Sequence, residues 1–253
     1  MLCVQGLSLA AGEKQLINQL SCEILPGECW VIFGKNGIGK TTLLRTLAGL
    51  RQPDSGEVLL DGKPFAAWDT LLLAQQRAYL PQMRHDAFAY SVLQTVLAGR
   101  YPYQARHYWE TDADLMAACL AMRQMDVLSL QDRDIRTLSG GERQRVALAA
   151  VLAQDTPVVL LDEPVNSLDL AHQAHFMQLV GQLCRERKKS VVMVVHDLNL
   201  AHGVATHALL MGKGGKWEAG TISEVMKADK LSQCLGYTIT VLQHEGRFVY
   251  LPV

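Results

Sequence analysis

The sequence predicts an α/β fold built on a mainly parallel sheet, with an α-helical subdomain inserted into it. Three observations predict this. Val158 to Leu161 and Ser190 to Val195 are unbroken β-branched and apolar runs, as in strands buried on both faces of a parallel sheet. Glu28 to Phe33 is another such run, and it leads through a glycine-rich loop into a helix-forming stretch from Thr42 to Ala48, a βα unit. From about Arg84 to Gln131 the chain is instead rich in Ala, Met, Leu and Gln and poor in strand signals.

The remaining elements follow in order. Leu2 to Leu9 and Cys22 to Leu25 read as short strands, with Gly12 and Pro26-Gly27 supplying turns. His172 to Arg187 has the length and spacing of a crossover helix, and Thr238 to Leu242 with Phe248 to Leu251 reads as a closing hairpin. There is no internal repeat, low-complexity tract or heptad seam. The expected organisation is one domain over 1–253, with a helical subdomain over about 84–150 and a short C-terminal β extension over about 214–253.

A chain of 253 residues that is 49% hydrophobic can fill one sizeable core or two small ones. Its 24 basic and 25 acidic residues leave a net charge of −1, so no basic field suggests nucleic acid as a partner. The six cysteines contain no Cys-x-x-Cys pair, which fits a reducing compartment better than a disulfide framework. No signal peptide is apparent. The longest apolar stretches, such as Val191 to Val195 and Val146 to Ala153, fall far short of the ~20 residues a bilayer requires. A soluble, cytoplasmic chain is expected, meeting any membrane from the side.

Gly34-Lys35-Asn36-Gly37-Ile38-Gly39-Lys40-Thr41 fits the phosphate-loop pattern G-x-x-x-x-G-K-[ST], after a strand and before a helix as that motif requires. The glycines let backbone N–H groups turn inward around phosphate oxygens. Lys40 brings a point charge to the β- and γ-phosphates, Thr41 offers a hydroxyl to Mg²⁺, and the helix from Thr42 aims its positive end at the anion. A glycine-rich turn that binds nothing is the blander reading, and the flanking strand and helix disfavour it. This is a nucleoside triphosphate site, of a kind that kinases, GTPases, helicases and transport ATPases share.

Two further segments narrow the chemistry. Val158 to Pro164 is an apolar strand ending in two acids. Asp162 is placed to hold Mg²⁺ or its water shell, and Glu163 to orient or deprotonate the attacking water. In Leu138-Ser139-Gly140-Gly141-Glu142-Arg143-Gln144-Arg145, Ser139, Gly140 and Gly141 open a helix from Glu142 to Leu152. That end presents a hydroxyl, unpaired N–H groups and a positive dipole, a second anion site that one nucleotide on the same chain does not need.

The Leu-Ser-Gly-Gly run resembles the signature of the ABC ATPase family, and the resemblance covers nearly the whole chain. It implies the ABC ATPase fold: a P-loop NTPase core, an N-terminal antiparallel β subdomain and the inserted helical subdomain. It implies ATP and Mg²⁺ as ligands, and two subunits head to tail with each signature capping the γ-phosphate on its partner's loop. Gln82 resembles the lid glutamine that touches metal and water and senses the membrane partner. Asn166-Ser167-Leu168-Asp169 resembles the segment bridging the subunits, and His196 the switch histidine that contacts the γ-phosphate. Two positions depart from the pattern: Leu9-Ala10-Ala11 lacks the aromatic that often stacks on adenine, and Ile38 stands where a small residue is commoner. His172 and His175 read as a solvated helix face rather than a metal pair.

Three stretches look like the subfamily serving importers of ferric siderophores, haem and vitamin B12. They are Gly99 to Tyr103, Ser167 to Gln173 and His196 to Ala201. The first could equally be a plain turn in which Pro102 breaks a helix. The implied partners are a second copy in a nucleotide-sandwich homodimer, transmembrane permease subunits and, indirectly, a substrate-binding protein. The implied place is the cytoplasmic face of the bacterial inner membrane. Three alternatives stay open: an exporter ATPase of the same family, an ABC ATPase in DNA repair or chromosome handling, and a lone P-loop kinase or GTPase. Absent heptads argue against the second, and the signature helix against the third.

Overall fold

Two long strands, β1 (Leu2–Ala11) and β2 (Lys14–Ile24), pair antiparallel around the Gly12 turn. The computed structural model describes residues 1–82, 88–104, 109–244 and 247–253, with no side chain described at 247. The expected start of the helical insert, near Arg84, lies outside the described residues. β2 begins at Lys14, well before the expected Cys22, because register shifts along the β1–β2 ladder break the strict alternation that marks a strand in sequence.

β3 (Cys29–Gly34) runs through the glycine-rich loop into α1 (Lys40–Leu47). β4 (Ser55–Leu60) and β5 (Lys63–Pro64) complete a four-stranded antiparallel sheet in the order β2-β1-β4-β5. Then come α2 (Thr70–Gln76), β6 (Arg77–Leu80), α3 (Val92–Leu97), α4 (Asp112–Gln124) and α5 (Gly140–Ala153). The core resumes with β7 (Val158–Asp162), α6 (Leu170–Arg185), β8 (Ser190–Val194), α7 (Leu198–His202) and β9 (His207–Met211). The chain closes with β10 (Trp217–Thr221), α8 (Ile222–Val225), α9 (Ala228–Leu235) and the hairpin β11 (Ile239–His244) and β12 (Arg247–Pro252).

The central sheet has the order β10-β9-β3-β8-β7-β6, parallel throughout except for the antiparallel edge strand β10. Its strands divide their side chains between two cores. Val31, Val159 and Val191 face one core, shared with α3 to α6, while Ile32, Leu160 and Val192 face the other, shared with α1 and the antiparallel sheet. Burial on both faces is why these strands read as unbroken apolar runs.

The segment after 214 departs from the expected β extension. β10 joins the central sheet, and α8 and α9 precede the hairpin. α9 is short and buries only Leu231 and Cys234, too few apolar positions to show a helical period in sequence; Gly236 ends it at φ 76°. Among the described residues, no helix is long and apolar enough to cross a membrane.

Candidate functional site

β3, β8 and β7 are adjacent and parallel, so their C-terminal ends reach one edge of the sheet together: Ile32 pairs with Val194, and Val194 with Asp162. Ligands of open parallel sheets bind outside such ends. Here that edge carries the glycine-rich loop after β3, the acid pair at the end of β7 and His196 just past β8.

The loop opens α1 without a side-chain cap, because Gly39 at φ 114° fills the capping position. A side chain there would be strained, and its Cβ would lie 2.9 Å from Leu16 Cδ1. This also starts α1 at Lys40, ahead of the expected Thr42, and leaves its first N–H groups facing the cleft. Ile38 is buried in the second core, so its bulk packs inward while its backbone stays on the loop.

An open cleft of about 390 Å³ sits over the loop, lined by Asn36, Gly37, Gly39, Lys40, Thr41 and Thr42, with Gln82 and Glu163 opposite. Ala11, Lys14 and Leu16 form its outer wall. That wall holds no aromatic residue among the described residues that line it. Lys40 is buried, and its Nζ donates to the carbonyls of Gly34 at 2.9 Å and Lys35 at 3.2 Å. Burial lowers its pKa, against the charges of Glu163 and Asp162.

Glu163 sits in the left-handed region at φ 52°, sparsely populated for a non-glycine residue. Its N–H donates to Val194 O at 3.1 Å, which ties the acid to the strand that delivers His196. Its carboxylate is held from several sides. His196 Nε2 lies 2.8 Å from Oε1, Gln82 Nε2 donates to Oε2 at 2.8 Å, and Asn166 Nδ2 also donates to Oε2. Gln82, Glu163 and His196 are thus one cluster at the mouth of the phosphate loop.

Asp162, beside it, is fully buried, and neither carboxylate oxygen has a hydrogen-bond partner among the described residues. The Thr41 hydroxyl lies alongside without reaching hydrogen-bond geometry. Burial pushes the Asp162 carboxyl above the ordinary aspartate range. A buried, unpartnered carboxylate is costly, and next to a hydroxyl it suits a hard divalent cation with oxygen ligands.

The signature residues lie elsewhere. Ser139 caps α5: its Oγ accepts from Glu142 N at 3.2 Å, and Glu142 Oε2 accepts from Ser139 N at 2.7 Å. The N–H groups of Gly140 and Gly141 begin the helix and lie outside its internal bonding. Asp169 caps α6, accepting from His172 N at 2.9 Å. Ser139, Gly140, Gly141 and Asp169 do not line the nucleotide cleft.

Lys35 belongs to the loop through its backbone only, since its side chain leaves the nucleotide cleft for another one. His172 and His175 lie on a face open to solvent, with His175 exposed. His172 is half-buried against Asp169, and His175 Nε2 pairs with Gln124 O at 2.7 Å. Sequence reasoning left Lys14 and Leu16 out of the site, and placed Asn166 only in the segment bridging the subunits, not beside Glu163. Lys14 Nζ donates to Gly37 O at 2.6 Å, yet no motif marks it. The contact of Asn166 could have been found from its spacing, three residues after Glu163.

A sequence model of the ABC transporter family matches residues 17–166. The Hemin import ATP-binding protein HmuV of Escherichia coli O157:H7 is 40% identical over 249 residues, covering 96% of this chain and 95% of that protein. The Petrobactin import ATP-binding protein FpuD of Bacillus anthracis is 43% identical over 197 residues, covering 77% of this chain and 71% of that one. Among solved structures, an inward-facing transporter described as metal-chelate type superposes with a TM-score of 0.85 at 27% identity, covering 100% of this chain and 97% of that one. A dimeric ATP-binding cassette with ADP and phosphate superposes with a TM-score of 0.76 at 25% identity, covering 88% and 99%. With a family match spanning more than half the chain and the phosphate loop, acid pair and histidine gathered at one sheet edge, the chain belongs to the ABC transporter family.

Proposed function

We propose that this chain is the ATP-binding and ATP-hydrolysing subunit of an importer for a ferric siderophore, haem or vitamin B12, at the cytoplasmic face of the bacterial inner membrane. Two copies clasp two ATP molecules and close. The helical subdomain, about 84–150, carries that motion to separate permease subunits, which receive substrate from a binding protein. The relatives named above support the substrate class, two of them being import subunits for hemin and petrobactin.

The observation that carries the reading is the convergence of Gln82 and His196 on the Glu163 carboxylate beside the phosphate loop. In the proposed site the backbone N–H groups from Gly37 to Thr42, with Lys40, hold the phosphates. Asp162, Thr41 and Gln82 would hold Mg²⁺, which when bound offsets phosphate charge. Glu163 accepts a proton from the attacking water, a contribution of about 10²–10⁴ in rate for a positioned base. His196 orients Glu163 and reaches the γ-phosphate. Ser139, Gly140, Gly141 and Asp169 serve the partner's nucleotide.

One feature of the signature supports that last assignment. A Cβ on Gly140 would meet nothing within 4 Å, so the chain's own packing does not require glycine there, whereas close approach by a second copy's nucleotide would. Glu163→Gln tests the reading by light scattering: Mg-ATP should convert monomer into a stable dimer with turnover lost. A variant that stays monomeric and hydrolyses ATP at the normal rate would refute both the base and the shared interface.

A further inference from the structure

We infer that a second anion site, for a small soluble phosphorylated ligand, lies behind the phosphate loop in a cleft separate from the nucleotide cleft. This goes beyond the nucleotide reading and does not rest on it. The cleft encloses about 390 Å³ between β9, β10 and α9, and none of its lining residues is shared with the nucleotide cleft.

Four lysines line it, Lys35 from the phosphate loop, Lys213 and Lys216 from the turn before β10, and Lys230 from α9, against one acid, Glu218. Lys230 is already neutralised by Glu218, and its Nζ donates to Glu224 O at 2.9 Å. Lys35, Lys213 and Lys216 have no acidic partner among the described residues. The chain as a whole carries a net charge of −1, so this concentration of positive charge is local and not part of a basic surface. Unpaired like charges around one concavity repel one another and focus potential into it, and an anion of two or more charges relieves both. Lysines supply point charges on flexible stems, a form of donor that suits phosphate.

Lys35 gives the cleft its connection to the loop. Its stem runs over Gly236, the positive-φ residue ending α9, where any Cβ would collide with the lysine's Nζ. The carbonyl of Lys35 meanwhile accepts from Lys40 Nζ at 3.2 Å and from Ile38 N at 3.2 Å. A ligand drawing on the Lys35 ammonium therefore acts on the residue whose carbonyl holds the phosphate-loop lysine. Trp217 lines the cleft with its ring alone, because its indole N–H is committed to Asn18 O at 2.8 Å.

Pyrophosphate titrated calorimetrically into the full chain at low salt, where charge screening is weakest, should bind at two sites per chain. Lys213→Gln with Lys216→Gln, both exposed, should weaken one site at least tenfold and leave the other unchanged, together with ATP binding. Lys40→Ala should do the reverse. A single binding event that Lys40→Ala removes and the double variant leaves intact would overturn the second site while leaving the nucleotide cleft standing. Loss of both events, and of ATP binding, in the double variant would overturn it as well, since the two clefts would not then be separate.

Discussion

Glu163 offers about four acceptor positions as a carboxylate, and Gln82, Asn166 and His196 occupy three of them. One position remains for a water, so the clamp orients the acid as it limits access to it. Asp162 has the opposite character: it is buried, has no donor, and has its carboxyl pushed up by burial. Such a group destabilises the chain by itself and is stabilised by what it binds. Asp162→Asn should therefore raise the unfolding free energy without nucleotide by about 1–3 kcal/mol. It should also abolish the extra stability that Mg-ATP confers. Thermal unfolding with and without Mg-ATP checks both, and a variant that Mg-ATP still stabilises would remove Asp162 from the metal site. These acids were legible in the sequence because their chemistry fixes residue type and spacing. The direction of the Lys35 side chain was not, since it depends on the space left by Gly236 at the far end of the chain.

At the scale of elements, the stretch Gly99 to Tyr103 acquires a physical account. It forms a short 3-10 helix, Ala98–Tyr103, pressed against α5 so closely that a Cβ on Gly99 would collide with Ala150 O. Arg100 Nε pairs with Asp114 Oδ1 at 3.0 Å, with both side chains largely buried, and Arg100 Nη1 donates to Ala153 O at 2.8 Å. Tyr103 Oη donates to Gln154 O at 2.9 Å. One turn thus closes the C-terminus of α5 and is locked to α4. Asp114→Ala leaves the Arg100 charge buried without its partner and should cost about 3 kcal/mol or more in urea unfolding. Burial raises the Asp114 carboxyl, but hydrogen bonds from Thr111 and Arg100 outweigh it and hold it below the ordinary range. A depressed carboxyl contributes stability above its unfolded value and loses it as pH falls through the folded one. The gap between the unmodified chain and Asp114→Ala should therefore narrow toward acid pH, and a constant gap would mean that packing alone accounts for it. The turn could be spotted in sequence from Pro102. Its pairing with Asp114 could not, because the partners meet only after α4 folds back.

At the scale of the molecule, the phosphate loop and the Leu-Ser-Gly-Gly run do not line one cleft. The phosphate loop, Gln82 and Glu163 line one cleft, while Ser139 to Gly141 and Asp169 lie outside it. If two copies complete each other head to tail, each site combines one chain's loop with the other's signature. Lys40→Ala spoils the loop and leaves the signature intact, and Ser139→Arg does the reverse. Each variant alone forms only spoiled sites. A mixed pair has one site with both faults and one with none. Random pairing of equal amounts makes half the dimers mixed, so turnover should recover to about a quarter of the unmodified chain's value. A chain that completes its own site would gain nothing from mixing, because every loop would still face its own signature. Steady-state ATP turnover measured across mixing ratios, with a maximum at equal amounts, therefore reads the architecture of the site directly.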